Sequence, residues 1–189
     1  MNEQIFTLAN QLTVLRMLLI PAFVLLVVYG YFGWALLVFL VAGATDALDG
    51  LAARQAGSKT SLGAWLDPAA DKLLLVTTFV VLTLPDLGLV NRVPIWLTVL
   101  VISRDVGIVL TVAIVSLAMG PRTFKPSLLG KTATAFFIIT CVVVMYFNYL
   151  GHGSVIVDAF IWGSLAITLA SGIDYVFRLA RIINQQEPR

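Results

Sequence analysis

A single cysteine and a single histidine occur in the 189 residues of this chain. Cys141 lies within the apolar run 136–147, so no disulfide framework exists and the thiol reads as a small buried hydrophobe. His152, between Gly151 and Gly153, reads as a loop residue rather than a metal ligand. Charge is scarce as well. Charged residues make up 12% of the chain and the net charge is +2, too small to suggest nucleic acid as a partner. The N-terminus carries Glu3 and lacks a basic segment ahead of a small-residue cleavage site, so no cleaved signal peptide is expected. There is no repeat at solenoid periods, no heptad pattern, no low-complexity tract and no internal linker. The expectation is one domain, 1–189.

What the chain has in abundance is apolar sequence, 60% of all residues, in runs that approach the span of a bilayer core. The predicted fold is an all-α integral membrane protein with six transmembrane helices. They are placed near 12–29, 33–53, 63–84, 93–118, 130–149 and 155–179, punctuated by Gly30, Gly33, Pro85, Gly88, Pro94, Gly120-Pro121 and Gly151. Residues 1–11, with Ile5, Phe6 and Leu8 among polar neighbours, read as a short amphipathic helix lying on the membrane surface. Under this topology Arg16, Arg54, Lys59, Lys72, Arg122, Lys125, Lys131, Arg178, Arg181 and Arg189 fall on one side. Arg92 flanks a span on the other side, and Arg104 lies within one. The positive-inside rule puts both termini at the cytoplasmic face.

Acidic residues are few, and four of the ten fall between 46 and 71. Asp46 and Asp49 are three apart near the end of one predicted helix. Asp67 and Asp71 are four apart near the start of the next, so each pair shares a helical face. A membrane-buried Asp costs about 2.5–3.5 kcal/mol on insertion scales, which makes such residues functional candidates. Four clustered carboxylates repel unless cations lie between them, and hard divalent ions suit all-oxygen sites. Gly50, Ala53 and Gly63 allow close approach of a ligand, and Arg54 offers a planar fork to phosphate. A helix-capping role for one such Asp is ordinary; for four at these spacings it is not.

The stretch Asp46-Ala-Leu-Asp49-Gly50-Leu-Ala-Ala53-Arg54, eight residues, Gly63-Ala-Trp-Leu-Asp67-Pro-Ala-Ala-Asp71 resembles the signature of the CDP-alcohol phosphotransferase family at every position. The resemblance implies transfer of a substituted phosphoryl group from a CDP-alcohol to a hydroxyl, with release of CMP. It implies Asp46, Asp49, Asp67 and Asp71 as ligands of two Mg²⁺ or Mn²⁺ ions, with Asp71 also the base. It places Asp49, Gly50, Ala53, Arg54, Gly63 and Asp67 around the CDP group. A homodimer is implied too. CDP-diacylglycerol fits as donor, because its chains can lie among membrane lipids while its headgroup meets the cytoplasmic face.

Other polar features lie outside that stretch. Asn10-Gln-Leu12-Thr13-Val-Leu-Arg16 resembles the start of phosphatidyl-transferring members; the plain alternative is a helix cap and a snorkelling Arg16. Arg104 and Asp105 sit inside the fourth predicted span, pointing about 100° apart on a helix, so each calls for a further partner. Arg122, Lys125 and Lys131 gather with Ser127, Gly130 and Thr132 at a helix start, a pattern suited to phosphate. Arg104, Asp105, Arg122, Lys125 and Lys131 are therefore the candidate acceptor-binding residues. Asp174 and Arg178 read as an intrahelical ion pair.

For the acceptor two readings stand. Asn10–Arg16, Leu66–Leu74 and Ser171-Gly172-Ile173 resemble bacterial phosphatidylglycerophosphate synthases, whose acceptor is glycerol phosphate. Those enzymes carry a second Arg after the Arg-acid pair, where this chain has Val112. The runs 93–106 and 124–133 resemble CMP-forming cardiolipin synthases more closely, and that reading, with phosphatidylglycerol as acceptor, is preferred. Inositol phosphate and serine are lesser alternatives. A divalent-cation transporter would place its ligands near the midplane on several helices, which this chain does not.

The sidedness is testable. In a Cys141→Ala background, cysteines introduced at Lys59 and Lys125 are expected to label only from the cytoplasmic side of a bacterial-type inner or plasma membrane. One introduced at His152 is expected to label only from the opposite side. Equal sidedness for the two groups would contradict the topology.

Overall fold

The computed structural model describes residues 8–56, 61–119 and 127–184. They form six α-helices: α1 (Leu8–Val28), α2 (Phe32–Ala56), α3 (Ser61–Thr83), α4 (Ile95–Met119), α5 (Leu128–Leu150) and α6 (Val155–Asn184). The predicted spans match these helices to within a few residues, except at the two chain ends. α1 is described from Leu8, so residues 8–11 continue into the first predicted span as one helix; nothing in Leu-Ala-Asn-Gln breaks a helix. Residues 1–7, the rest of that expected surface helix, lie outside the described residues. α6 runs five residues past the expected end.

Among the described residues, two helical stretches are long and apolar enough to cross a membrane, Leu128–Leu150 and Val155–Arg178. Apolar stretches described within the first three helices are Thr13–Val28, Phe32–Thr45 and Lys72–Thr83. Large apolar side chains elsewhere face outward, among them Leu18, Leu25, Leu37, Val99 and Ile156, each more than half exposed. Such a surface suits lipid rather than water.

The chain divides into two compact units. The first contains α1, α2, α3, the segment to Arg92 and the second half of α5, from Cys141. α1 packs against both α2 and α3. The α1–α2 reversal is a Schellman turn: Gly30 donates to the Val27 carbonyl at 3.0 Å and Tyr31 to that of Leu26 at 2.8 Å. Gly30 has φ of 77°, a left-handed conformation that glycine adopts without strain. At the start of α2, Gly33 lies against the ring of Tyr149, where an added Cβ would come within 2.8 Å of Cδ2. Segment 84–94 is fastened to α5 by two asparagines. Asn148 Oδ1 accepts from the Asn91 amide at 2.9 Å and its Nδ2 donates to the Asn91 carbonyl at 2.8 Å, while Asn91 Nδ2 donates to the His152 carbonyl. His152 is the loop residue that the sequence suggests, its ring edge-on to Phe147. Cys141 is buried, as expected.

The second unit contains α4, the first half of α5 and α6. Thr140 of α5 and Ser164 of α6 share a buried hydrogen bond of 2.9 Å, and Phe136 stacks on Phe160 at 5.3 Å. Gly163 lets the ring of Phe136 approach, since a Cβ there would sit 2.7 Å from Cζ. α6 also packs against α4. Trp96 and Trp162 meet near the starts of those helices, with ring centroids 5.8 Å apart. The Asp174–Arg178 pair forms along α6 at 2.9 Å, as the i, i+4 spacing predicts.

Candidate functional site

The four motif aspartates fall on two helices of the first unit. Asp46 and Asp49 occupy the second half of α2, with Gly50, Ala53 and Arg54 following on the same helix. Gly63, Asp67 and Asp71 occupy the first half of α3. The side chains of these residues lie outside those described. Both helices pack on α1. The residues next to them are buried: Thr45 precedes Asp46 and donates to the Ala42 carbonyl at 2.7 Å, and Ala70 precedes Asp71 with no exposed surface.

Arg16 belongs to this region. It lies about 18 Å before the end of α1, and Thr45 about 20 Å after the start of α2, so the two stand at the same depth below the turn that joins the helices. Arg16 is 1% exposed, which overturns the snorkelling alternative. Its neighbour Thr13 is buried too. A fully buried guanidinium is costly unless paired, and the anionic residues of the motif begin at that depth.

In the second unit the Arg104–Asp105 pair is resolved in detail. Arg104 Nη1 donates to Asp105 Oδ1 at 2.7 Å, and Arg104 Nε donates to Ser171 Oγ at 3.2 Å. The two side chains are 9% and 15% exposed. The long Arg side chain curls back to its chain neighbour despite the angle between them, and the further partner that the sequence called for is Ser171 on α6. Ser171 in turn donates to the Thr168 carbonyl at 3.0 Å. Nη2 of Arg104 approaches α5 at Gly130, where an added Cβ would lie 3.4 Å from it and 3.1 Å from Ser127 Oγ. Ser127 caps α5 by accepting from the Gly130 amide at 2.8 Å.

The expected acceptor residues therefore divide. Arg104 and Asp105 sit together, with Gly130 of α5 beside Arg104. Lys131 is exposed one residue on, its amide bonded to the Ser127 carbonyl at 3.0 Å. Arg122 and Lys125 lie outside the described residues. Ser171 is a site residue that sequence reasoning used only as a similarity; the signal available was a hydroxyl within an apolar helix, with no indication of its partner.

Acidic positions paired on two helices that pack on a third mark the first unit, and an arginine bonded to its own helix and to α6 beside a capped helix start marks the second. The family model described as CDP-alcohol phosphatidyltransferase matches residues 6–170, across both units. The chain is 33% identical over 191 residues to a probable phosphatidylglycerophosphate synthase of Mycobacterium tuberculosis, covering 96% of this chain and 86% of that one. It is 34% identical over 139 residues to a cardiolipin synthase (CMP-forming) of Streptomyces coelicolor, covering 70% of this chain and 62% of the relative. It is 33% identical over 185 residues to the human cardiolipin synthase (CMP-forming), covering 89% and 60%. The chain belongs to the CDP-alcohol phosphatidyltransferase family. It is a transferase of phospholipid synthesis.

Arg104→Lys keeps the charge but removes the planar fork that reaches Asp105 and Ser171 together. The variant is expected to fold and to lose at least tenfold in turnover, about 1.4 kcal/mol in the barrier. Wild-type turnover in a purified, monodisperse Arg104→Lys protein would show that this arrangement does not bear on the reaction.

Proposed function

We propose that the chain transfers the phosphatidyl group of CDP-diacylglycerol to phosphatidylglycerol, giving cardiolipin and CMP. The observation that carries the choice of acceptor is the state of Arg104. Two of its nitrogens are engaged by Asp105 and Ser171, so its charge is largely offset within the protein. Val112 stands where a second arginine would, so α4 offers no second guanidinium beside Arg104. A small dianion such as glycerol phosphate has almost no apolar surface and needs strong, oriented cationic contacts. Phosphatidylglycerol carries one charge, and its acyl chains already hold it among apolar helices.

The donor end rests on Asp46, Asp49, Asp67 and Asp71. Their all-carboxylate donor set, at i, i+3 on α2 and i, i+4 on α3, fits Mg²⁺ or Mn²⁺, and these four residues would hold two such ions. Bound there, the ions supply charge neutralisation for the diphosphate and for the leaving CMP. Asp49, Gly50, Ala53, Arg54, Gly63 and Asp67 surround the CDP group. Asp71 takes the proton of the acceptor hydroxyl as its oxygen attacks the phosphorus that bears diacylglycerol. The new P–O bond forms to the acceptor while the P–O bond to CMP breaks. Arg104, Asp105, Arg122, Lys125 and Lys131 orient the acceptor. In this reading the enzyme is one functional domain, works as a homodimer with six membrane spans, and keeps its site and both termini at the cytoplasmic face.

A second reading has its own support. The relative covered over 96% of this chain is named a phosphatidylglycerophosphate synthase, which favours glycerol phosphate as acceptor. An acceptor panel separates the two. With CDP-diacylglycerol and Mg²⁺ or Mn²⁺, the purified protein is expected to make cardiolipin from phosphatidylglycerol, read by lipid mass spectrometry. With sn-glycerol 3-phosphate, turnover is expected to be at least tenfold slower. Phosphatidylglycerophosphate as main product, without cardiolipin, would overturn the first reading and make Lys125 and Lys131 the acceptor-phosphate ligands.

A further inference from the structure

The guanidinium of Arg104 is held at two of its three nitrogens. Nη1 donates to Asp105 Oδ1 at 2.7 Å, a bond within α4, and Nε donates to Ser171 Oγ at 3.2 Å, a bond to α6. Arginine has no acceptor, so the Ser171 oxygen must accept, and its own proton goes to the Thr168 carbonyl at 3.0 Å. Ser171 is 1% exposed, and its hydroxyl is committed to these two bonds. A guanidinium is planar and rigid, so fixing Nε and Nη1 fixes the plane and with it the place of Nη2. That third nitrogen has no hydrogen-bond partner among the described residues. It faces the first turn of α5, where a Cβ added at Gly130 would lie 3.4 Å from it and 3.1 Å from Ser127 Oγ. Two polar groups thus converge at a helix start, the end of a helix that favours anions.

Asp105 alone does not set this direction. It is the chain neighbour of Arg104, and a guanidinium held at one nitrogen can still swing about that bond. The tie to α6 removes the swing. We infer that Ser171 is a positioning residue, which locks Arg104 so that its Nη2 edge meets the anionic group of the acceptor at the start of α5. The inference rests on the reading that Arg104 orients the acceptor, and deepens it by naming the residue through which α6 bears on acceptor binding. It applies to a phosphodiester and to a phosphomonoester alike, since both present oxygens to an N–H edge. A serine that only braced α6 through the Thr168 carbonyl would have no selective effect on one of the two substrates.

The hydroxyl can be removed with and without a change of shape. Ser171→Ala deletes it, Ser171→Thr keeps it, and Ser171→Val has the shape of threonine without it. Purified proteins are assayed with CDP-diacylglycerol and whichever of phosphatidylglycerol and sn-glycerol 3-phosphate the wild type turns over. Ser171→Ala and Ser171→Val are expected to raise KM for that acceptor at least fivefold, with KM for CDP-diacylglycerol within twofold of wild type. Ser171→Thr is expected to recover most of the loss seen in Ser171→Val. In an Arg104→Lys background, adding Ser171→Ala should lower kcat/KM for the acceptor by less than a further twofold, because the effect passes through the guanidinium. Wild-type acceptor KM in monodisperse Ser171→Ala protein would overturn the inference. So would equal losses for donor and acceptor, a Ser171→Thr protein as impaired as Ser171→Val, or full additivity with Arg104→Lys. With Arg104→Lys itself impaired, those results leave the role of Arg104 standing. If Arg104→Lys and Ser171→Ala both match wild type, the reading of Arg104 as an acceptor residue fails as well. Which acceptor the wild type uses settles the acceptor reading separately, before any variant is made.

Discussion

Placing an ionised side chain among apolar helices costs several kilocalories per mole unless an opposite charge or a full set of hydrogen bonds accompanies it. The polar features of this chain are arranged around that cost. Arg16 is withdrawn from solvent at the depth where the motif aspartates begin. Arg104 is tied to Asp105 on its own helix and to Ser171 on another. The four motif aspartates lie on α2 and α3, two helices that both pack on α1.

Much of this is legible in the sequence, and for identifiable reasons. Helix positions follow from the length of apolar runs and from Gly and Pro between them, and Gly30 and Gly151 terminate helices in the left-handed conformation that their placement suggests. The Asp motif is readable because carboxylates at i, i+3 and i, i+4 in an apolar chain are rare without a purpose. The Asp174–Arg178 pair is local and so follows from spacing alone. What the sequence withholds is contact between distant helices. Ser171 is 67 residues from Arg104, and no periodicity tells which apolar helix will bring a hydroxyl to it. The burial of Arg16 is hidden for the same reason: an arginine near a helix start reads equally as snorkelling or enclosed until α2 and α3 are placed against α1. The requirement for glycine at positions 33 and 163 is likewise set by the aromatic rings of Tyr149 and Phe136, which come from elsewhere in the chain.

The two halves of the reaction are thus read at different levels. Donor chemistry is written in a compact motif of residue types and is shared with the family. In the proposed reading, acceptor choice turns on the charge left uncompensated beside Arg104, a property of packing between distant helices, and relatives named for two different products match this chain at 33–34% identity.

The central claim is that Asp46, Asp49, Asp67 and Asp71 form one metal-dependent centre that transfers the phosphatidyl group. It is tested most directly by CMP release from CDP-diacylglycerol in the presence of acceptor, comparing wild type with Asp67→Asn and with Asp86→Asn, which lies outside the motif. The account predicts release that requires Mg²⁺ or Mn²⁺, is abolished in the folded Asp67→Asn protein and is retained in Asp86→Asn. Substantial CMP release by Asp67→Asn at saturating metal would contradict it.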